Sequence, residues 1–158
     1  MIELDKLEKK YVRVKNVYKI REMQEGYEGL NYSNPSKIAR LFIAAYQHLD
    51  ETREHFLSAS LDTKNHLISL DVISIGSLNC NIVHPREVFY SAIANKANSI
   101  IVSHNHPSGS TAPSQNDIDI TRKLVKTGEI VGIDVLDHII VGIPEKFLSM
   151  KEENLMED

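Results

Sequence analysis

A single cysteine, Cys80, in 158 residues excludes an intramolecular disulfide and any metal site built from several thiolates. Its expected role is structural. No apolar run approaches the roughly 20 residues of a membrane span, and the charged opening, residues 1–10, lacks the apolar segment of a secretory signal. The expected location is the cytoplasm. Positive charge is short as well: 18 Lys and Arg stand against 22 Asp and Glu, a formal net charge of −4. General attraction to phosphates is therefore missing, and nucleic-acid binding needs a local basic patch. The best candidate lies at Lys9, Lys10, Arg13, Lys15, Lys19 and Arg21, which reads as the solvated face of a strand. With no recognisable DNA-reading motif either, DNA association is expected to be weak and without sequence preference. Internal repeats and low-complexity stretches are also absent.

What is present suits one compact domain with a sizeable core. Residues 1–33 read as an extension, a basic strand followed by a linker at 24–33 that holds Gly26 and Gly29. The domain is expected over residues 34–150, and residues 151–158 read as a frayed acidic tail. Asn34-Pro35 opens a helix in which Ile38, Leu41, Phe42, Ala45 and Leu49 recur at helical spacing. A strand is expected from Glu54 to Leu61, a hairpin turn at Asp62-Thr63-Lys64-Asn65, and a second strand from Leu67 to Ile75. After a loop at 76–81, Pro85 suits the first position of a helix through Val88, Phe89, Ala92 and Ile93. Ser99-Ile100-Ile101-Val102 has the continuous apolar character of a buried central strand. A further helix is expected to begin at Pro113–Asp117, with Ile118, Leu124 and Val125 on its apolar side and Gly128 as its C-terminal cap. Ile133 to Val135 and His138 to Val141 supply the last strand material. The class is mixed α/β (α+β), a central mixed sheet flanked by helices.

The chemistry gathers after the apolar strand. His104 and His106, at i and i+2, point the same way where the chain is extended, and loops at strand ends are where sites collect. Asp117, in the first turn of the next helix, reaches the same point if the chain from Pro107 to Pro113 folds back. Two neutral imidazoles and a carboxylate leave a fourth tetrahedral position open, the composition of a catalytic zinc site rather than a structural one. Ser114-x-x-Asp117 fits a helix capping box too, and both readings can hold together.

The string His104-x-His106, seven residues, Ser114, two residues, Asp117 resembles the signature of JAMM (JAB/MPN) metallopeptidases. The surrounding His104-Asn105-His106-Pro107-Ser108-Gly109, together with Val83-His84-Pro85-Arg86-Glu87-Val88-Phe89 and Leu136-Asp137-His138, resembles the RadC branch. The likeness spans roughly Glu54 to Gly142. It implies a single JAB/MPN-like domain in which His104, His106 and Asp117 hold Zn2+ and Ser114 helps to stabilise an oxyanion. It also implies a glutamate at the head of the first strand as general acid/base, a place that Glu54 occupies. Glu87 is the rival, but the positive end of the helix begun by Pro85 already accounts for an acid there. His138 is a candidate to orient a ligand from behind.

The resemblance implies a zinc-activated water that hydrolyses an amide or isopeptide bond in a peptide substrate whose identity the residues leave open. A second reading is a zinc-stabilised, non-catalytic module of DNA repair or DNA metabolism, with the metal clamping the loop between His104 and Asp117. A glutamate beside the metal discriminates the two. Longer members of the branch carry a helix-hairpin-helix region before this domain, whereas residues 1–33 offer a short basic strand and a glycine-bearing linker. Zinc-dependent base deamination needs a P-C-x-x-C that one cysteine cannot supply.

Overall fold

The computed structural model describes residues 31–76, 83–142 and 144–157, and the backbone of 11–14 and 17–20. Cys80, the charged opening, most of the 24–33 linker, the loop beyond Gly76 and the basic side chains of residues 9–21 lie outside the described residues. The elements in chain order are β1 (Tyr11–Val14), β2 (Val17–Ile20), α1 (Pro35–Tyr46), β3 (His55–Leu61), β4 (Leu67–Ile75), α2 (Pro85–Ala94), β5 (Ser99–Asn105), α3 (Gln115–Val131), β6 (Asp134–Gly142) and β7 (Lys146–Ser149). Together they form one mixed α/β domain. A mixed sheet ordered β4-β3-β5-β6-β7 is extended at its β4 edge by the β1–β2 hairpin. β5 and β6 run parallel and are joined through α3, while the other neighbours are antiparallel. No described helix is long and apolar enough to cross a membrane.

Strand alternation divides the core. Leu57, Ala59 and Leu61 of β3, with Ile101 of β5 and Ile139 and Val141 of β6, face α1 and its Ile38, Leu41, Phe42 and Ala45. Phe56, Ile100 and Val102 face the other way, onto Val88, Phe89 and Ala92 of α2 and Leu124 of α3. All seven residues of β3 and of β5 are buried, which explains why β5 reads as the continuous apolar run Ile100-Ile101-Val102. α1 starts where the sequence places it: the Asn34 side chain accepts from the Ser36 N–H at 2.8 Å and Pro35 fills the first helical position.

Several boundaries differ from the sequence reading. β3 begins at His55, leaving Glu54 just before it, and β5 continues through His104 to Asn105. α3 passes Gly128 and ends at Gly132, whose φ of 79° is the left-handed value that glycine adopts without a Cβ penalty. Gly128 has a packing role instead, since a Cβ there would lie 2.5 Å from the Ile133 carbonyl oxygen. Helix propensity alone makes Gly128→Ala stabilising by about 1 kcal/mol. Overpacking against fixed backbone, about 1–3 kcal/mol, is expected to reverse that sign, and chemical denaturation of the purified variant measures it.

The ends are also held more firmly than composition suggests. Tyr32 is buried in the α1 core, and Asn31 bridges to His66. In the stretch expected to fray, the Leu155 N–H donates to Met150 O at 2.9 Å, and Met156 packs with Ile140 and Met150.

Candidate metal centre

His104 continues the β5 row of Ile100 and Val102 and so reaches the α3 face, where it is 4 % exposed. His106 follows the strand end, with its backbone N–H donating to Val141 O at 2.9 Å. The two Nε2 atoms converge to 2.8 Å. The chain between them and α3 does fold back: Asp117 Oδ1 lies 3.3 Å from His104 Nε2, and Oδ2 lies 3.5 Å from His106 Nε2. Because Phe56 pairs with His104, the head of β3 lies beside the tail of β5, and Glu54 Oε1 comes within 3.9 Å of His106 Nε2. Among the described residues, Glu54, His104 and His106 form a group able to hold a metal ion, with ligand atoms within 4.8 Å of one another.

The hydrogen bonds behind the imidazoles fix their tautomers. His106 Nδ1 lies 2.8 Å from the Ser110 carbonyl oxygen, which can only accept, so Nδ1 carries the proton and Nε2 the lone pair. For His104 two more residues, Thr121 and His138, set the tautomer. The Thr121 hydroxyl donates to Asp117 O at 2.5 Å or to Met150 Sδ at 3.4 Å. Towards His138 Nδ1, at 2.6 Å, it therefore accepts. Burial first, and then the neighbouring His104, holds the His138 pKa well below 6.5, so this ring is neutral and presents a lone pair at Nε2. His104 Nδ1, 2.8 Å away, must donate to it, which leaves the His104 Nε2 lone pair in the site. Phe56 closes the apolar side, stacked on His104 at 6.3 Å and edge-on to His138 at 5.5 Å.

The donor set therefore fits a cation: two imidazole lone pairs and a carboxylate repel one another at these distances unless positive charge lies between them. Burial pushes the Asp117 carboxyl up, but the neighbouring His104 and His106 rings outweigh it and hold the carboxyl well below the usual range. The hydrogen bond to Asp117 raises the His106 pKa against the opposing effect of burial. Histidine ring shifts followed by NMR in chelated protein should show His106 titrating above 6.5 and His138 well below it.

Ser114 sits at the N-cap of α3 and forms the expected capping box. Its Oγ accepts from Asp117 N–H at 3.2 Å, and its own N–H donates to Asp117 Oδ2 at 2.7 Å. The cap thus aims the Asp117 carboxylate, and an accepting Oγ keeps its own proton to donate. Glu87 lies exposed in the first turn of α2, where the helix end accounts for it. Sequence reasoning assigned nothing to Thr121, which lies one helical turn after Asp117, nor to Phe56. The i, i+4 spacing was the available signal for Thr121.

A sequence model of the RadC-like JAB domain matches residues 32–155. The chain belongs to the RadC-like JAB domain family. The match spans the chain from buried Tyr32 to Leu155, beside buried Met156. A UPF0758 protein of Desulfitobacterium hafniense is 48% identical over 124 residues, 78% of this chain and 53% of that protein. One from Moorella thermoacetica is 50% identical over 123 residues, 78% of this chain and 52% of its own length. One from Methanococcoides burtonii is 55% identical over 107 residues, covering 68% and 46% of the two chains. The chain spans about half the length of these curated relatives, whose names state no activity. JAB-like domains as a superfamily include hydrolases.

Proposed function

We propose that this RadC-like JAB domain is a zinc-dependent hydrolase of amide or isopeptide bonds, with His104, His106 and Asp117 as metal ligands and Glu54 as general acid/base. The observation that carries the reading is the placement of Glu54. Its carboxylate lies 3.9 Å from one imidazole, while Asp117 lies within 3.5 Å of both. On this reading Asp117 would complete the ligand set, with Glu54 beside it to handle protons. A zinc ion held by two neutral imidazoles and a carboxylate supplies Lewis acidity, lowering the pKa of a bound water from 15.7 towards about 7.

The chain's own groups do the rest. Glu54, partly exposed at 23 %, takes the proton of the attacking water and delivers it to the leaving amine nitrogen. Ser114 donates its hydroxyl proton to the oxyanion that develops on the scissile carbonyl. Thr121, His138 and Ser110 keep both imidazoles in the tautomer with Nε2 free. A zinc clamp has use for Glu54 only as a further ligand, whereas hydrolysis needs a proton-transfer group at that place.

The test is to incubate zinc-loaded protein with a library of peptides and isopeptide-linked conjugates and to detect new amine ends by mass spectrometry. Cleavage that chelation removes and zinc restores supports the reading. A folded, zinc-loaded chain that cleaves no member of the library, with or without cell extract to supply a partner, overturns it.

A further inference from the structure

We infer that Asn105, the residue between the two histidines, is a positioning residue for Glu54. Its side-chain amide holds the backbone on both sides of that glutamate. Asn105 Oδ1 accepts from the His55 N–H at 2.7 Å, and Nδ2 donates to the Arg53 carbonyl oxygen at 3.0 Å. The donor faces a carbonyl and the acceptor faces an N–H, so only one orientation of the amide satisfies both. The residue is 4 % exposed and the bond from the His55 N–H is buried, which shields it from competition with water.

The position of the clamp gives it its meaning. Backbone pairing between β3 and β5 runs from Leu61↔Ser99 to Phe56↔His104. Beyond that last pair, the Asn105 amide takes over where a further rung would stand. The Arg53 carbonyl belongs to the peptide plane before Glu54, and the His55 N–H belongs to the plane after it. One side chain thereby fixes both planes that flank the Glu54 Cα, and with them the direction of its Cα–Cβ bond. The Glu54 carbonyl is tied down separately by the Gly76 N–H at 2.8 Å.

Alternation in an extended chain sends His104 and His106 to one side and Asn105 to the other. Three consecutive residues therefore set the two imidazoles and, through Asn105, the carboxylate that faces them. A displacement of the acid by an ångström is enough to cost much of its effect on a proton in transit.

This inference rests on the reading of Glu54 as the acid/base, and the test separates the two. The probe is acetohydroxamic acid, which binds zinc and offers N–H and O–H protons to a neighbouring carboxylate. Its affinity is measured by calorimetry on zinc-loaded protein. Glu54→Gln is expected to weaken binding about tenfold or more, the scale of a charge-assisted hydrogen bond. Asn105→Leu is expected to weaken it by a similar factor at unchanged zinc content. In the double variant it should add little to Glu54→Gln, because both changes remove the same interaction.

If Glu54→Gln binds the probe as the wild type does, the acid/base reading fails and the inference falls with it. If Glu54→Gln weakens binding but Asn105→Leu does not, or the two effects simply add, the inference alone is overturned. Asn105→Asp serves if the leucine variant does not fold. It keeps the bond from His55 N–H, places a carboxylate oxygen against the Arg53 carbonyl, and should also weaken the probe. Loss of zinc from folded Asn105→Asp would tie Asn105 to the ligands instead and would overturn the assignment.

Discussion

Replacing His104 and His106 together by alanine is expected to take the zinc content of the purified chain from about one per chain to background, with the fold retained. Each imidazole contributes an Nε2 lone pair fixed from behind, and the carboxylates of Asp117 and Glu54 alone make a poor zinc site in competition with water. The fold should survive because neither hydrophobic core includes the two histidines. Ile100, Val102, Phe89 and Leu124 pack beneath the site, and the α1 core lies on the opposite face of the sheet. Elemental analysis beside circular dichroism decides the matter, and wild-type zinc in the folded double variant would place the ligands elsewhere. The supporting residues predict a graded loss: Thr121→Val leaves His138 Nδ1–H without its acceptor and should cost ~10–100-fold in zinc affinity.

How much of this was legible in the sequence depended on whether a residue acts through local spacing or through the packing of distant segments. The convergence of His104, His106 and Asp117 was legible because i, i+2 on a strand and a capping box at a helix start are local patterns with a definite direction. The β5–α3–β6 unit was legible for the same reason, as an apolar run, a helical period and a second apolar run. Thr121 and His138 were harder, since 17 residues separate them and the bond between them exists only once α3 lies on β6. Asn105 was hidden further: its partners are 50 and 52 residues away on the far side of a hairpin, and no local pattern points to them.

The end of α3 shows a different limit. Both Gly128 and Gly132 are plausible stops by composition. What separates them is the Ile133 carbonyl crossing Gly128 and the positive φ at Gly132, and both are consequences of how the chain enters β6. The tail likewise looked unattached because its acidic residues dominate the composition. Leu155 and Met156 anchor to the cluster of Ile140 and Met150, and two apolar side chains carry little weight in a compositional argument.

Glu54→Gln is expected to keep the zinc and the fold while reducing hydrolysis of any identified substrate by ~10²–10⁴, the usual worth of a positioned proton-transfer group. Glutamine preserves the shape and a hydrogen-bonding end but takes up no proton, so the loss isolates the acid/base step. Glu87→Gln is the matched control. It lies exposed in the first turn of α2, so removing its charge should cost only a helix-end effect of roughly 0.3–1 kcal/mol and leave zinc and turnover nearly intact. The pair of variants separates a role in chemistry from a role in helix stability with one charge removed in each. Substrate-independent measurement is available as well: a structure of the zinc-loaded protein measures each carboxylate against the open coordination position. Glu87 within hydrogen-bond reach of that position, with Glu54 turned to solvent, would reverse the assignment. Equal loss of activity in both variants would instead point to a general effect of negative charge around the site.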